Sequence, residues 1–491
     1  KSKMQVVVNL PEGKPLAATD RVLTRAAERA LTVPEGKTAQ AYVGTAAPFN
    51  FNGLVRHYYL RDAPHQGDLQ LNLTPKGQRD RASHAVALDV RRALDGLDVP
   101  DGTAVKVVEV PPGPPVLATL LAEVYGPTPK ARRETARRLA EIFRDVPFIV
   151  DVDDSFGRRP VRLRFAIDQA NLAFHEVREA AVYDTIRSLF DGVTVGYSHR
   201  GHGTNPIEIS VRLPRRDLHP SERILSTPVP AEDGTVQLGD VVTVKREKAS
   251  YMRFRRDGRG ATMVTAALAG EFEAPIYGML AVQERIDRAE WPHGKPDIRL
   301  HGQPKDESGT TLLWHGEWDV TYVTFRDMGA AFAVAILGIY LLLVGQFSHF
   351  KLPLVILVPV PLTLIGIVVG HWLLGASFTA TSMIGFIALA GIVVRNSILL
   401  VDFIRNARTE ATTLREALVA AGAIRFKPIL LTAVSAMIGA AFILADPIFE
   451  GLAISLLFGL ASSTALTVVT IPAVYVLLRD DGRGFGRNEA A

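Results

Sequence analysis

An arginine sits deep in an apolar run. From Ala376 to Ile404 the chain reads ASFTATSMIGFIALAGIVVRNSILLVDFI, with no charge from Ala376 to Val394, then Arg395 and later Asp402. At about 1.5 Å per residue, Arg395 lies roughly 14 Å from the Ile404 end of a helix. In a hydrocarbon core of about 30 Å that places the guanidinium near the middle. A charge at that depth costs at least about 2.5–3.5 kcal/mol on the most lenient scale, so Arg395 should face protein and find partners. It could be a structural ion-pair member or snorkel to the interface. Its depth favours the other role, a fixed charge in an ion or proton pathway.

Other residue groups could do chemistry, each with a plainer reading beside it. Arg132, Arg133, Arg137 and Arg138 fall on a helix and could meet an acidic partner, although a solvated face fits such a run better. Asp151, Asp153 and Asp154 could hold calcium but lack the spacing of a known loop, so a strand-end turn is expected. The twelve histidines show no HExxH or paired spacing, which disfavours catalytic zinc. Met4, Met252, Met263 and Met279 are scattered and read as gap-fillers rather than soft-metal ligands. Phe49, Phe51, Tyr58 and Tyr59, in a loop that starts at Gly44, could line a pocket for apolar molecules or simply pack. No Ser-His-Asp or GxSxG arrangement stands out, so no enzyme activity is expected. The absence of cysteine excludes a disulfide frame, a thiolate metal site and a thiol nucleophile.

The elements that position these groups divide sharply in composition. The 491 residues carry 55 basic and 51 acidic side chains, a net charge of +4 that favours no nucleic acid. Most charges precede Met328. After it, five runs are long enough to span a membrane: 328–347, 352–374, 376–404, 428–445 and 451–478. Connections on one side hold Lys351, then Arg405, Arg408, Arg415, Arg425 and Lys427, then Arg479, Arg483 and Arg487; those opposite hold no basic residue. That bias puts the C-terminus in the cytoplasm and the region before about residue 325 outside. An exterior region of that size needs an upstream export signal, and KSKMQVVVNLPEGK supplies no apolar segment. The chain therefore reads as the C-terminal piece of a larger membrane protein. Residues 405–427 are expected to form a separate amphipathic cytoplasmic helix, with Thr413 and Glu416 as a capping box and Gly422 as its stop. Gly385, Gly391, Gly439, Gly459 and Ala461 should let helix backbones approach closely.

The exterior region alternates strands and helices. Strands at Gln5–Leu10 and Ala39–Val43, one carrying Leu69, Leu71 and Leu73, and one at Val107–Val110 enclose helices marked by Val22 and Val86. The order is β-α-β-β-α-β, the ferredoxin-like arrangement, and it ends at Pro111–Pro115. The pattern restarts with a strand at Leu117–Tyr125, a helix through Ala136 and Phe143, and a strand at Phe148–Val152. It resumes at Ala261–Leu268, a helix near Pro275–Ile286 and a strand at Asp297–Leu300. The predicted boundaries are a first module over 1–116, a second over 117–166 and 251–320, and an inserted domain over 167–250.

These residues resemble the resistance–nodulation–division (RND) efflux permeases, as the C-terminal half of a full-length member. The carriers are GIVVRNSILLVDF at 391–403, IRFKPILLTAVSAMIG at 424–439, EVPPGPPVLATLLAEVYGP at 109–127, and the two modules with their insertion. The resemblance implies a membrane α-helical bundle with an α+β exterior of two ferredoxin-like porter modules, the second carrying a docking-like domain. It also implies a proton-driven antiporter of the bacterial inner membrane with no cofactor beyond the proton gradient. Its expected partners are membrane lipids, the missing N-terminal half, two further copies in a homotrimer, a periplasmic adaptor and an outer-membrane channel. The family's basic relay residue, usually lysine, falls on Arg395, its relay threonine on Thr432, and the arginine at the cytoplasmic mouth on Arg425. The proton-accepting acid pair belongs to a helix this chain lacks. Arginine stays charged, so it can switch partners but does not readily release a proton. Small organic or amphiphilic substrates are expected. The alternatives are a heavy-metal exporter, a protein- or lipid-export member, and, from another class, a membrane sensor or scaffold.

Overall fold

The computed structural model describes residues 2–109, 116–200, 205–214, 217–270, 274–407, 414–446 and 448–479. The PPGPP run, most of EVPPGPP, the capping residue Thr413 and the tail after residue 479 lie outside them. In chain order come β1 (Lys3–Asn9), α1 (Leu16–Ala30), β2 (Gly36–Val43), α2 (Phe51–Val55), β3 (Gln66–Leu73), α3 (Ser83–Leu94) and β4 (Ala104–Val108). Next are β5 (Leu120–Tyr125), α4 (Pro129–Arg144), β6 (Ile149–Asp154), β7 (Val161–Ile167), α5 (Gln169–Phe174), α6 (Glu179–Phe190), β8 (Val193–Ser198) and β9 (Ile207–Val211). Then follow α7 (Glu222–Leu225), β10 (Pro228–Ala231), β11 (Gly234–Gln237), α8 (Leu238–Val241), β12 (Val242–Lys248), β13 (Phe254–Arg256), β14 (Arg259–Leu268) and α9 (Pro275–Arg288). The chain closes with β15 (Asp297–Arg299), β16 (Thr311–Gly316), α10 (Glu317–Phe347), α11 (Leu352–Leu357), α12 (Pro359–Leu374), α13 (Ala380–Ala407), α14 (Leu414–Ile443) and α15 (Glu450–Arg479).

Two compact units are described separately. The first comprises residues 1–109, 128–140 and 151–264. Its first four strands form a sheet in the order β2-β3-β1-β4, with Val6 opposite both Leu69 and Val107. Alternation sets which side chains meet the helices: Val6, Val8, Leu69 and Leu71 lie beneath Val22, Leu23 and Ala26 of α1 and Val86 and Val90 of α3. The insertion begins earlier than its predicted start at 167. β7, which sequence reading missed, pairs antiparallel with β12, and between them in the sequence lies a small core of Leu172, Val182, Val229, Leu238 and Val241.

The second unit comprises residues 110–127, 141–150 and 265–491. The strand order around β5 is β14-β5-β16-β15, and β6 pairs with β14. Every side chain of β5 is buried, as a central strand requires. Here the closing strand differs from expectation. The strand beside β5 is β16, not the predicted Asp297–Leu300 strand, which lies at the edge as β15, parallel to β16. Trp314 of β16 stacks on Phe143 with ring centroids 5.9 Å apart. Gly316 ends β16 at φ +72°, where an added Cβ would lie 2.6 Å from the Ala118 carbonyl, and α10 starts at the next residue. Strand thus passes into helix without a loop.

Among the described residues, five helical segments are long and apolar enough to cross a membrane: Glu317–Phe347, Leu352–Leu374, Ala380–Ile404, Arg415–Ile443 and Glu450–Leu477. Their bounds correct the predicted ones. The first helix begins eleven residues before Met328. The second is jointed at Val358 and Pro359, where a ring replaces a backbone N–H. The third starts at Ala380 because Thr379 donates its N–H to Ser382 Oγ in a preceding turn. Among the described residues the predicted surface helix over 405–427 is not separate: α14 runs unbroken from Leu414 through Gly422 and Pro428 to Ile443. Gly422 does not stop it, and Pro428 removes only one internal hydrogen bond while apolar surroundings favour keeping all the others. The bundle core holds Val355, Ile367, Leu389, Val393, Val401, Ala421, Ala433 and Leu460.

Candidate functional site

The helix α13 splits its polar triplet by face. Asn396 and Ser397 are buried, with Ser397 Oγ donating to the Val393 carbonyl at 2.9 Å, whereas Arg395 is exposed. Arg395 belongs to a stripe of Ile384, Ala388, Gly391, Arg395, Leu399 and Asp402, all exposed and spaced three or four residues apart. One face of α13 is therefore left open by the other four spans. Arg395 has no hydrogen bond or ion pair among the described residues, and neither does Asp402. The expectation that Arg395 meets partners is not met within this set of helices.

The other two predicted residues lie on α14. Arg425 is half-buried, with its Cζ 4.8 Å from the centre of the Phe403 ring of α13, so it ties the two helices by a cation–π contact. Thr432 is exposed and its hydroxyl donates back to the Pro428 and Ile429 carbonyls at 3.1 and 2.9 Å. No hydrogen bond joins Arg395, Arg425 and Thr432 to one another among the described residues.

Sequence reading missed a buried polar junction. His371 of α12 is 5% exposed; its Nδ1 lies 2.9 Å from the Ile367 carbonyl and its Nε2 2.9 Å from Ser382 Oγ of α13. A carbonyl only accepts, so Nδ1 carries a proton; in the neutral ring Nε2 then accepts from the serine hydroxyl. Close backbone approach supports the junction: a Cβ on Gly451 of α15 would lie 2.3 Å from Ser382 Oγ. The only signal in the sequence was a lone histidine within VVGHWLL.

In the first unit, the loop between β2 and β3 projects its aromatic side chains. Phe49, Phe51 and Tyr59 are 70%, 50% and 44% exposed, and Phe49 lies 5.7 Å from Tyr59, ring centre to ring centre. Tyr58 instead packs under the Arg61 guanidinium. A buried ion pair anchors the loop: Arg61 Nε lies 2.9 Å from Asp68 Oδ1, Arg61 also donates to the Val8 and Gly67 carbonyls, and Asp68 accepts the Ala47 N–H at 3.0 Å. Burial pushes the Asp68 carboxyl above the usual range, against the opposing pull of Arg61 and the Ala47 N–H.

The three aspartates form no calcium loop. Asp151 pairs with Arg91 at 2.6 Å, Asp153 pairs with Lys106, and Asp154 accepts the N–H groups of Phe156 and Gly157 as a strand-end turn does. Burial raises the Asp151 carboxyl, with Arg91 opposing. Met4, Met263 and Met279 are buried, but Met252 is 61% exposed. Arg132 packs over Gly260, and Arg133 and Arg137 reach Tyr251.

With this geometry in place, known proteins provide a frame. The AcrB/AcrD/AcrF family matches residues 1–479. The swarming motility protein SwrC of Bacillus subtilis (strain 168) is 27% identical over 363 residues, 72% of this chain and 33% of SwrC. The cobalt-zinc-cadmium resistance protein CzcA of Cupriavidus metallidurans is 24% identical over 74% of this chain and 33% of its own. The multidrug resistance protein MdtC of Edwardsiella ictaluri is 35% identical over 192 residues, 37% of this chain and 19% of MdtC. A crystal structure of a heavy metal efflux pump superposes with a TM-score of 0.76 at 21% identity, covering 98% of this chain and 48% of that one. The chain thus spans about a third of SwrC and CzcA, about a fifth of MdtC and about half of the solved structure. It belongs to the AcrB/AcrD/AcrF family of RND permeases and is a multi-pass membrane protein.

Proposed function

We propose that this RND permease chain acts as the C-terminal half of a proton-driven efflux transporter for small organic or amphiphilic compounds. The observation that carries the reading is the open face of α13 with Arg395 at its centre. A mid-membrane guanidinium needs anionic partners, and this face offers it to helices outside the present five. Carboxylates there would pair with Arg395 when ionised and release it when protonated. Arg395 stays charged throughout and changes partner rather than giving up its proton. Thr432 and Arg425 would accept the changed arrangement of α13 and α14. Because β16 passes directly into α10, a shift of α10 moves the strand beside β5.

The exterior strand orders β2-β3-β1-β4 and β6-β14-β5-β16 support two ferredoxin-like porter modules, and the core within residues 168–241 supports a docking-like domain. The basic connections support a cytoplasmic C-terminus and an exterior region in the periplasm, with the spans in the inner membrane. A homotrimer with a periplasmic adaptor and an outer-membrane channel completes the pump. The exposed Phe49, Phe51 and Tyr59 favour apolar cargo.

The test is transport by the native assembly in inverted vesicles, with an amphiphilic cationic dye and with Zn²⁺. Dye accumulation that needs the proton gradient, and that falls in Phe49→Ala/Phe51→Ala, is the expected result. Accumulation of Zn²⁺ alone would establish a metal exporter instead. No gradient-dependent movement of either would favour a sensor or scaffold.

A further inference from the structure

The basic run on α4 is more than a solvated face. Arg133 Cζ lies 4.3 Å from the centre of the Tyr251 ring, Arg159 Cζ 5.6 Å and Arg137 Cζ 6.0 Å. The three come from two separate segments, yet any two lie within about 12 Å of one another, close to a Debye length at physiological salt. Each is held differently. Arg159 donates from Nε to the Ala249 carbonyl at 2.5 Å and from Nη2 to the Lys248 carbonyl at 3.2 Å. Arg137 donates to the Tyr251 hydroxyl at 3.1 Å and lies 5.3 Å from the Phe156 ring, which meets Tyr251 edge-on. Among the described residues Arg133 is engaged only by the ring. None of the three has a carboxylate partner among the described residues.

Like charges gathered on one aromatic ring repel each other, and the fold has fixed two of them by hydrogen bonds. Guanidinium forks fixed this way, with donors still open, suit a planar or tetrahedral oxyanion held by parallel hydrogen bonds. We propose that Arg133, Arg137 and Arg159 around Tyr251 form a binding site for a divalent oxyanion, a phosphate or sulfate group. The site is independent of the transport reading, because it uses no group in the membrane spans.

Equilibrium dialysis of the intact, detergent-solubilised protein against radiolabelled inorganic phosphate and, separately, sulfate tests this. One saturable site per chain is expected, weakening as chloride rises. Arg133→Gln/Arg159→Gln should weaken binding at least tenfold, while Arg285→Gln/Arg288→Gln on α9 leaves it unchanged. Arg133→Lys/Arg159→Lys keeps the charge and loses the fork, so an intermediate loss is expected. Thermal melting of each variant, run in parallel, separates lost binding from lost folding. Absence of saturable binding overturns the proposal, as does equal binding by the glutamine variant or undiminished binding by the lysine variant.

Discussion

Replacing Gly366 by alanine should separate α12 from α15. A Cβ built there falls 2.2 Å from the Phe458 carbonyl oxygen and 2.2 Å from Ser462 Oγ. Comfortable non-bonded separations are about 3.5 Å, so the helices would have to part by on the order of 1 Å. The serine hydroxyl can rotate away, but the carbonyl belongs to the α15 backbone and cannot. Overpacking of this kind costs about 1–3 kcal/mol. Alanine's better helix propensity returns up to about 1 kcal/mol. A net loss of about 1–2 kcal/mol is expected. Gly439→Ala in α14 is the control, because among the described residues no atom beyond its own helical turn lies within 4 Å of its Cβ and only the propensity gain remains. Unfolding of the intact chain in mixed micelles, followed by circular dichroism, reads both. Shifts of opposite sign are expected. Equal shifts for the two variants would refute the close approach of α12 to α15.

Three other perturbations have defined outcomes. Arg91→Met removes the partner of Asp151, a pair with side chains 15% and 11% exposed, and should cost about 3–5 kcal/mol near neutral pH. Burial already raises the Asp151 carboxyl, and losing Arg91 raises it further, so the acid form is the stable one when folded. Stability is then retained below the unfolded pKa and lost as pH rises through the folded one, so the melting deficit should be larger at pH 7 than at pH 4; a pH-independent deficit would contradict this. Val195→Asp, on the hairpin of β8 and β9 whose Val193, Val195, Tyr197, Ile207, Ile209 and Val211 are all exposed, should lower the oligomeric state by light scattering at an unchanged melting temperature. Gly316→Ala forces a side chain into a left-handed conformation against the Ala118 carbonyl and should lower thermal stability, whereas Gly309→Ala, in open space, should not.

Hydropathy located all five spans but not their faces, because a neighbouring helix and a lipid tail are equally apolar. Of the small residues expected at helix contacts, Gly385 and Gly459 meet Ser455 and Leu389, while Gly391 and Gly439 face no other element within 4 Å among the described residues and Ala461 is exposed. The tight contacts at Gly366, Gly370 and Gly451 went unread, although Gly366 and Gly370 have the four-residue spacing that lets helices meet. In the exterior region, alternation of Leu69, Leu71 and Leu73 revealed β3, and the apolar run QVVVNL revealed β1, which is buried on both faces. Sequence reading failed for β16, where TLLWHG is buried almost throughout and runs straight into α10, leaving neither alternation nor a turn to mark it. Arg395 was legible as an anomaly of depth. That its face is open could come only from the packing of Asn396 and Ser397 on the opposite side of α13.

The central claim is that Arg395 is the fixed charge through which proton uptake drives transport. The direct measurement is proton flux across proteoliposomes holding the native assembly, with an imposed pH gradient and an amphiphilic dye as cargo. Arg395→Ala should abolish dye-coupled proton flux while the protein remains folded, and Arg395→Lys should keep a measurable part of it. Coupled flux at the unsubstituted level in Arg395→Ala would contradict the claim.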